Sequence, residues 1–489
     1  MPWYQITLIS LYLFVLLVLA FFGFHRTLLV WLFYRHKGDK PEPERLYADA
    51  ELPRVTVQLP LFNEMYVVER LIDAVAQMDY PRDKFEVQVL DDSTDETQGI
   101  CRAKVDQVRA MGINIQYIHR DDRTGYKAGA LENGLKYATG ELAMVFDADF
   151  VPKPDMLHKM VHYFTNQKVG MVQARWDHLN RGYSTLTEVE SLMLDGHFII
   201  EHTARHRSGR FFNFNGTAGM WRVSAIHDAG GWQHDTLTED MDLSYRAQLK
   251  GWSFVYLPDI ASPAELPVEM NSFKSQQFRW AKGSIQVAKK LLPTIMKADV
   301  PRAVKWEAFF HLTNNFAYPL LLLLSLLLVP NIALRTAHGW REVLLIDVPL
   351  FFGTTLSVVT FYVVSQREVG VPLGWGQMIL RLPLMLAVGI GLCINQTRAV
   401  FEALMGKETE FVRTPKHGVV AGGGWQNWKS KRYRAAKNLI PYFELFMAGY
   451  FAVAMLLAVL GKHWVSLPFL MLFLVGYLYV GALSVHQRR

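Results

Sequence analysis

Hydrophobic positions follow two different rhythms along this chain. Residues 6–24 carry no charge and residues 28–33 prolong the apolar stretch, enough for one helix of about 20 residues to cross a bilayer. Comparable runs recur at 309–329, 343–364, 440–460 and 467–485. A stretch at 378–394 is also apolar but carries Arg381 and Pro383. A secretory signal is the competing reading of the first run. It is disfavoured because no small-residue cleavage site precedes His25-Arg26 and the apolar core is too long, so a retained anchor is expected.

The second rhythm lies between residues 51 and 291. An extended run at 55–59 is followed by Val67, Val68, Leu71, Ile72 and Val75 at helical spacing, and then by a strand-like run at 85–90. An extended run at 113–118, a helix at 128–137 and a strand at 142–146 continue the alternation. Such βαβ order predicts a mostly parallel sheet with helices on both faces. Pro41 and Pro53 mark an entry linker. The expected organisation is an anchor and linker at 1–50, an α/β domain at 51–291 and an apolar helical region at 292–489 with interfacial helices.

Basic residues orient this arrangement. His25, Arg26, Arg35, His36 and Lys37 follow the first run, Lys429, Lys431, Arg432, Arg434 and Lys437 precede the run at 440, and His486, Arg488 and Arg489 come last. All three groups belong on the cytoplasmic side. An even number of crossings must then separate the α/β domain from the stretch before 440, which makes 378–394 interfacial or re-entrant. The net charge of +6 flanks membrane runs rather than forming a nucleic-acid patch, so membrane lipids and not nucleic acid are the expected partners. Cys101 and Cys393 are too far apart in sequence for ligand spacing and suggest neither a disulfide framework nor a zinc site.

Candidate chemistry sits where the strand-like runs end. Asp147 and Asp149 follow 142–146 with one residue between them. Their carboxylates can converge on a hard divalent cation that offsets charge on a departing diphosphate; a solvated strand end is the bland alternative. Asp91 and Asp92 follow the second run, and Asn63 and Glu64 the first, so all four approach one crevice and suit a nucleotide donor. Ser93-Thr94-Asp95 followed by Glu96 is also helix-capping chemistry, and both roles can coexist. Lys127 stands among glycines at a helix start and suits a diphosphate, or is a solvated surface lysine.

Glu239 and Asp240 read as a helix start directed at the cleft, with Asp240 the candidate base for an acceptor hydroxyl. Acids complementing a helix dipole are the alternative. Gln276, Arg279 and Trp280 share one helical face: the guanidinium can hold diphosphate oxygens and the indole can carry a sugar ring. A membrane-interface Trp-Arg pair would occupy nearly the same place. The run 214–222, with Gly216 and Thr217, suits a backbone lining an acceptor site and equally a plain turn.

These motifs resemble the processive family 2 glycosyltransferases. The narrower likeness is to plant cellulose-synthase-like glucomannan mannosyltransferases and xyloglucan-backbone glucan synthases, carried by Leu59-Pro60-Leu61-Phe62-Asn63-Glu64, Leu90-Asp91-Asp92-Ser93, Gly125-Tyr126-Lys127-Ala128-Gly129, Phe146-Asp147-Ala148-Asp149 and Val172-Gln173-Ala174-Arg175-Trp176. The resemblance implies a GT-A, Rossmann-like α/β catalytic domain inserted between transmembrane α-helices. It further implies nucleotide contact at Asp91 and its neighbours, Mg2+ or Mn2+ at Asp149 with Asp147, base catalysis by Asp240, and diphosphate and acceptor contacts from Gln276, Arg279 and Trp280. Phe411-Val412-Arg413-Thr414-Pro415-Lys416 is similar to the gating loop of cellulose synthases, with arginine where valine is usual. That places a gating-type loop near 408–438 with Phe411, Thr414 and Lys416 as its contacts.

The expected function is therefore an inverting transfer of hexose from a sugar nucleotide, UDP-glucose or GDP-mannose, to a growing β-glycan, with coupled export. The alternative is a single transfer to a lipid acceptor such as ceramide or diacylglycerol. The resemblance implies the plasma or inner membrane in a bacterium and the Golgi in a eukaryote, with the catalytic domain cytoplasmic. A non-catalytic scaffold is disfavoured because every chemical position is filled.

Overall fold

The computed structural model describes residues 2–338, 344–370, 374–409, 413–420, 431–433 and 439–487. Seven strands form one sheet: β1 (Val55–Leu61), β2 (Phe85–Asp91), β3 (Ile115–His119), β4 (Leu142–Val145), β5 (Val169–His178), β6 (Gly219–Arg222) and β7 (Ser253–Ala264). Their order is β3-β2-β1-β4-β6-β5-β7. The first four are mutually parallel, β6 runs antiparallel to both neighbours, and β5 pairs parallel with β7. The mostly parallel sheet expected from the alternation is present.

Its registers follow from burial. Val55, Val57 and Leu59 of β1 and Val87 and Val89 of β2 share one face with Val68, Leu71, Ile72 and Val75 of the Val68–Ala76 helix. Alternate residues Thr56, Gln58, Glu86 and Gln88 point to the other face, where buried polar groups need partners. They find them in each other: Thr56 Oγ1 donates to Glu86 Oε1 at 2.5 Å and Gln58 Nε2 to Gln88 Oε1 at 3.0 Å. Because β2 and β4 flank β1, chain direction reverses its order there, and the crevice beyond the carboxyl ends of β1 and β4 is the natural ligand site of such a sheet.

Among the described residues, four helices are long and apolar enough to cross a membrane: Trp3–Arg35, Arg302–Leu334, Ile440–Leu460 and Trp464–His486. The run expected at 343–364 corresponds to a Leu344–Glu368 helix packed beside Trp3–Arg35; Val343 lies outside the described residues. The stretch at 378–394 occupies most of a Trp375–Gly391 helix and the start of Cys393–Leu404, which meet at 43°, the geometry of a broken span or a re-entrant loop. The Met270–Lys297 helix runs through residue 291 and packs on Glu239–Leu249, Arg302–Thr313 and Cys393–Leu404. It is shared between the sheet domain and the apolar helices.

Candidate active site

Chain ends of the parallel strands meet the helical region in one cavity of about 200 Å³. Phe62 and Glu64 reach it from the end of β1, Asp92 from β2, and Asp147 and Asp149 from β4. Glu239 and Asp240 enter from the first turn of Glu239–Leu249, and Gln276, Arg279 and Trp280 from one face of Met270–Lys297. Gly216, Lys127, Thr414 and Lys416 also line it. Phe62 and Lys416, 354 positions apart in sequence, thus share one space.

Each carboxylate of the Asp147/Asp149 pair holds an ammonium. Lys127 Nζ lies 2.5 Å from Asp147 Oδ1 and donates to the Gly216 carbonyl at 2.9 Å. Lys416 Nζ lies 2.7 Å from Asp149 Oδ2. Burial raises the pKa of Asp147 against the pull of Lys127, while Lys127 is raised despite its own burial by the charge of Asp147. Among the described residues no cluster of three or more His, Cys, Asp or Glu is arranged for a metal. Two hard carboxylates in a pocket that stabilises positive charge at both still fit Mg2+ or Mn2+ of the kind completed by substrate phosphates and water.

Asp240 lies close enough to Lys127 to feel its charge. Gly216 has φ +79°, a left-handed conformation that favours glycine, and a Cβ there would stand 3.1 Å from Asp240 Oδ2 and 3.3 Å from Lys127 Nζ, so the loop lies close against both side chains. Met241 N–H donates to Asp240 Oδ1 at 2.8 Å. Burial and the adjacent Glu239 carboxylate push the Asp240 pKa up, with Lys127 opposing. Glu239 is raised as well, chiefly by burial. A half-buried carboxylate of raised pKa lining a cleft is suited to taking a proton.

Arg279 donates Nη2 to Thr414 Oγ1 at 2.9 Å, and burial lowers its pKa to about 10, leaving it charged near neutrality. Trp280 faces Trp176 at 6.4 Å between ring centroids with 57° between planes. Two indoles set at that angle offer flat apolar walls to a sugar ring.

Three expected residues stand behind the cavity rather than in its lining. Asp91 is fully buried and accepts from Tyr117 Oη at 2.6 Å and from Ser93 N–H at 3.0 Å. Its neighbour Asp92 lines the cavity, gripped by Arg120 through Nε at 2.8 Å and Nη2 at 2.5 Å. Asn63, at φ 54°, accepts from Thr94 N–H at 2.8 Å and ties the ends of β1 and β2 together. Thr217 accepts from Asp147 N–H at 2.9 Å and supports that residue from beneath. Phe411 lies outside the described residues.

Other lining residues carried no individual expectation. Trp176 and His178 come from the end of β5, a strand not anticipated. His178 Nε2 pairs with Asp195 Oδ1 at 3.0 Å, and Asp195 also accepts from Arg181 at 2.7 Å and Gln366 at 2.8 Å. Burial alone would raise Asp195, but these donors hold its pKa at about 2. Glu265, just past β7, accepts from His417 N–H at 2.7 Å and Val419 N–H at 3.1 Å. A carboxylate directly after a strand was the available signal for Glu265; for Trp176 it was the motif in which it stands.

Residues 53–283 match the family described as glycosyltransferase like family 2. That stretch is a glycosyltransferase family 2 domain. Around this transferase domain the chain is 39% identical over 284 residues to a probable glucomannan 4-beta-mannosyltransferase 9 of Oryza sativa subsp. japonica, covering 57% of this chain and 54% of that one. It is 40% identical over 298 residues to glucomannan 4-beta-mannosyltransferase 2 of Arabidopsis thaliana, covering 59% and 55%. The chain thus spans about half the length of the curated relatives it matches. A solved structure of the mannosyltransferase PcManGT from Pyrobaculum calidifontis, in complex with GDP-Man and Mn2+, shares the fold with a TM-score of 0.56 at 21% identity, over 81% of this chain and 100% of that one.

Proposed function

We propose that this chain is a membrane-embedded, metal-dependent inverting mannosyltransferase that moves mannose from GDP-mannose to the end of a growing β-linked glycan, from the cytoplasmic side and with export through its own helices. The observation that carries the reading is the convergence of Asp147, Asp149, Lys127, Asp240 and Arg279 on one cavity. Mannose is preferred to glucose because relatives about 40% identical across the transferase domain bear mannosyltransferase names. A polymeric acceptor is favoured by the paired indoles of Trp176 and Trp280 beside the base.

In this reading Asp147 and Asp149 hold Mg2+ or Mn2+, which when bound neutralises charge on the departing diphosphate. Lys127 and Arg279 add fixed positive charge on the same oxygens, and Asp92 and Glu64 border the nucleotide side. Trp280 and Trp176 orient the terminal sugar so that its hydroxyl lies against Asp240. The hydroxyl oxygen bonds to the anomeric carbon as the bond to phosphate breaks. The diphosphate leaves with the electron pair, the hydroxyl proton passes to Asp240, and one displacement inverts the anomeric configuration. Orientation within about 3.5 Å supplies much of the rate in such reactions.

Membranes carrying the chain, incubated with labelled GDP-mannose or UDP-glucose, should incorporate mannose into a polymer released by β-mannanase. Chelator should abolish incorporation and Mg2+ or Mn2+ restore it. A product extractable into organic solvent as a single-sugar lipid would overturn the polymer assignment, and full activity in excess chelator would overturn the metal.

A further inference from the structure

The segment that carries Lys416 is pinned on both sides of that residue while the lysine itself reaches across to a proposed metal ligand. Arg413 pairs with Glu64 at 3.2 Å and Thr414 accepts from Arg279. On the other side, Glu265 takes the N–H groups of His417 and Val419. Between these anchors Lys416 Nζ donates to the Glu265 carbonyl at 2.6 Å and sits 2.7 Å from Asp149 Oδ2. Burial alone would lower the Lys416 pKa, but Asp149 outweighs it and the ammonium is held charged.

Charge balance gives this contact a consequence. Asp147 and Asp149 are matched one for one by Lys127 and Lys416. A divalent ion arriving alone at Asp149 would face an ammonium already in contact with that carboxylate, in a buried site where like charges repel strongly. A diphosphate arriving with the ion offers the ammonium another partner within the same cavity. Both ammonium groups also hold a backbone carbonyl, Gly216 for Lys127 and Glu265 for Lys416, but Lys127 rises from the Tyr126–Leu135 helix whereas Lys416 stands on a non-helical segment. Lys416 has a flexible four-carbon stem between anchored neighbours, so a side-chain swing suffices.

We propose that Lys416 is an exchange cation, resting on Asp149 and transferring to the donor diphosphate, so that metal binding at Asp149 is conditional on the nucleotide. This rests on the metal role proposed for Asp149. It makes metal and nucleotide positively coupled ligands, each tightening the other by the same factor.

Mn2+ titration of the purified full chain, followed by electron paramagnetic resonance with and without GDP, tests the coupling independently of turnover. In the wild type GDP should tighten Mn2+ by about 5- to 150-fold, the usual range of coupling between sites. Lys416→Met should tighten Mn2+ alone by a similar factor and lose most of the GDP effect, whereas Lys416→Arg should keep the wild-type pattern. UDP should couple as GDP does, since the exchange is with the diphosphate. Lys416→Gln replaces the methionine variant if that one does not fold. Mn2+ binding that needs Asp149 but keeps its GDP coupling in Lys416→Met would overturn the exchange role alone. Mn2+ binding unchanged by Asp149→Asn would instead overturn the metal assignment beneath it.

Discussion

At the scale of single residues, the behaviour of Asp240 depends on which charges are left near it. Burial and Glu239 push its pKa up to about 8 while Lys127 pulls the other way. A base must be deprotonated to act, so kcat/KM should rise with pH through an apparent value near 8, the limb that reports the free enzyme. Glu239→Gln removes the like charge and should move that limb toward lower pH. A pH–rate profile of both proteins checks this, and an unmoved limb would detach it from the Glu239–Asp240 pair. Asp240→Asn keeps the shape without the basicity; turnover should fall by roughly 10² or more while nucleotide binding, read by calorimetry, persists. Asp91 and Asp92 show what sequence could and could not resolve here. Adjacent residues at a strand end point to opposite sides, so only one of the two could line the cavity, and spacing alone does not say which.

At the scale of elements, the site depends on two helix segments meeting closely. Gly283 of Met270–Lys297 lies against Thr238, and a Cβ there would come within 2.5 Å of Thr238 Cγ2 and 2.6 Å of its Oγ1. Thr238 precedes Glu239 and Asp240, while Gln276, Arg279 and Trp280 lie on the same helix as Gly283. Gly283→Val should therefore push the Asp240 turn away from Arg279 and Trp280. Misplacement of about 1 Å can cost 10²-fold, so kcat should fall by about that much with the fold retained by circular dichroism; unchanged kcat would show that the contact has slack. The strands β1, β2 and β4 were legible because each is a short apolar run ending in acids. By contrast β6 is four residues long and antiparallel, inside a run that equally suited a turn, and β5 and β7 owe their place to pairing with partners about 80 residues apart. Periodicity carries no such long-range information.

At the scale of the whole molecule, the sheet domain and the apolar helices are joined by buried charge. Glu307 of the Arg302–Thr313 helix accepts from Arg205 Nε at 2.8 Å and lies 3.0 Å from His25 Nε2 on Trp3–Arg35, with side-chain exposures of 2%, 3% and 10%. Sequence marked His25 only as part of a basic flank and gave Glu307 no role, because the two are 282 positions apart. Removing one partner of a buried pair leaves the other charge desolvated and costs about 3–5 kcal/mol. Arg205 keeps Glu201 at 3.3 Å, so Glu307→Ala should cost near the lower end, about 3 kcal/mol. An exposed pair such as Lys40–Asp259, at 64% and 76% side-chain exposure, is worth only about 0–1 kcal/mol. Thermal melts of the chain in detergent should accordingly show Tm falling by several degrees for Glu307→Ala and hardly moving for Asp259→Ala. Equal shifts for the two variants would mean that the buried triad is not what fastens the domain to its helices, and that apolar packing around the shared Met270–Lys297 helix holds them together instead.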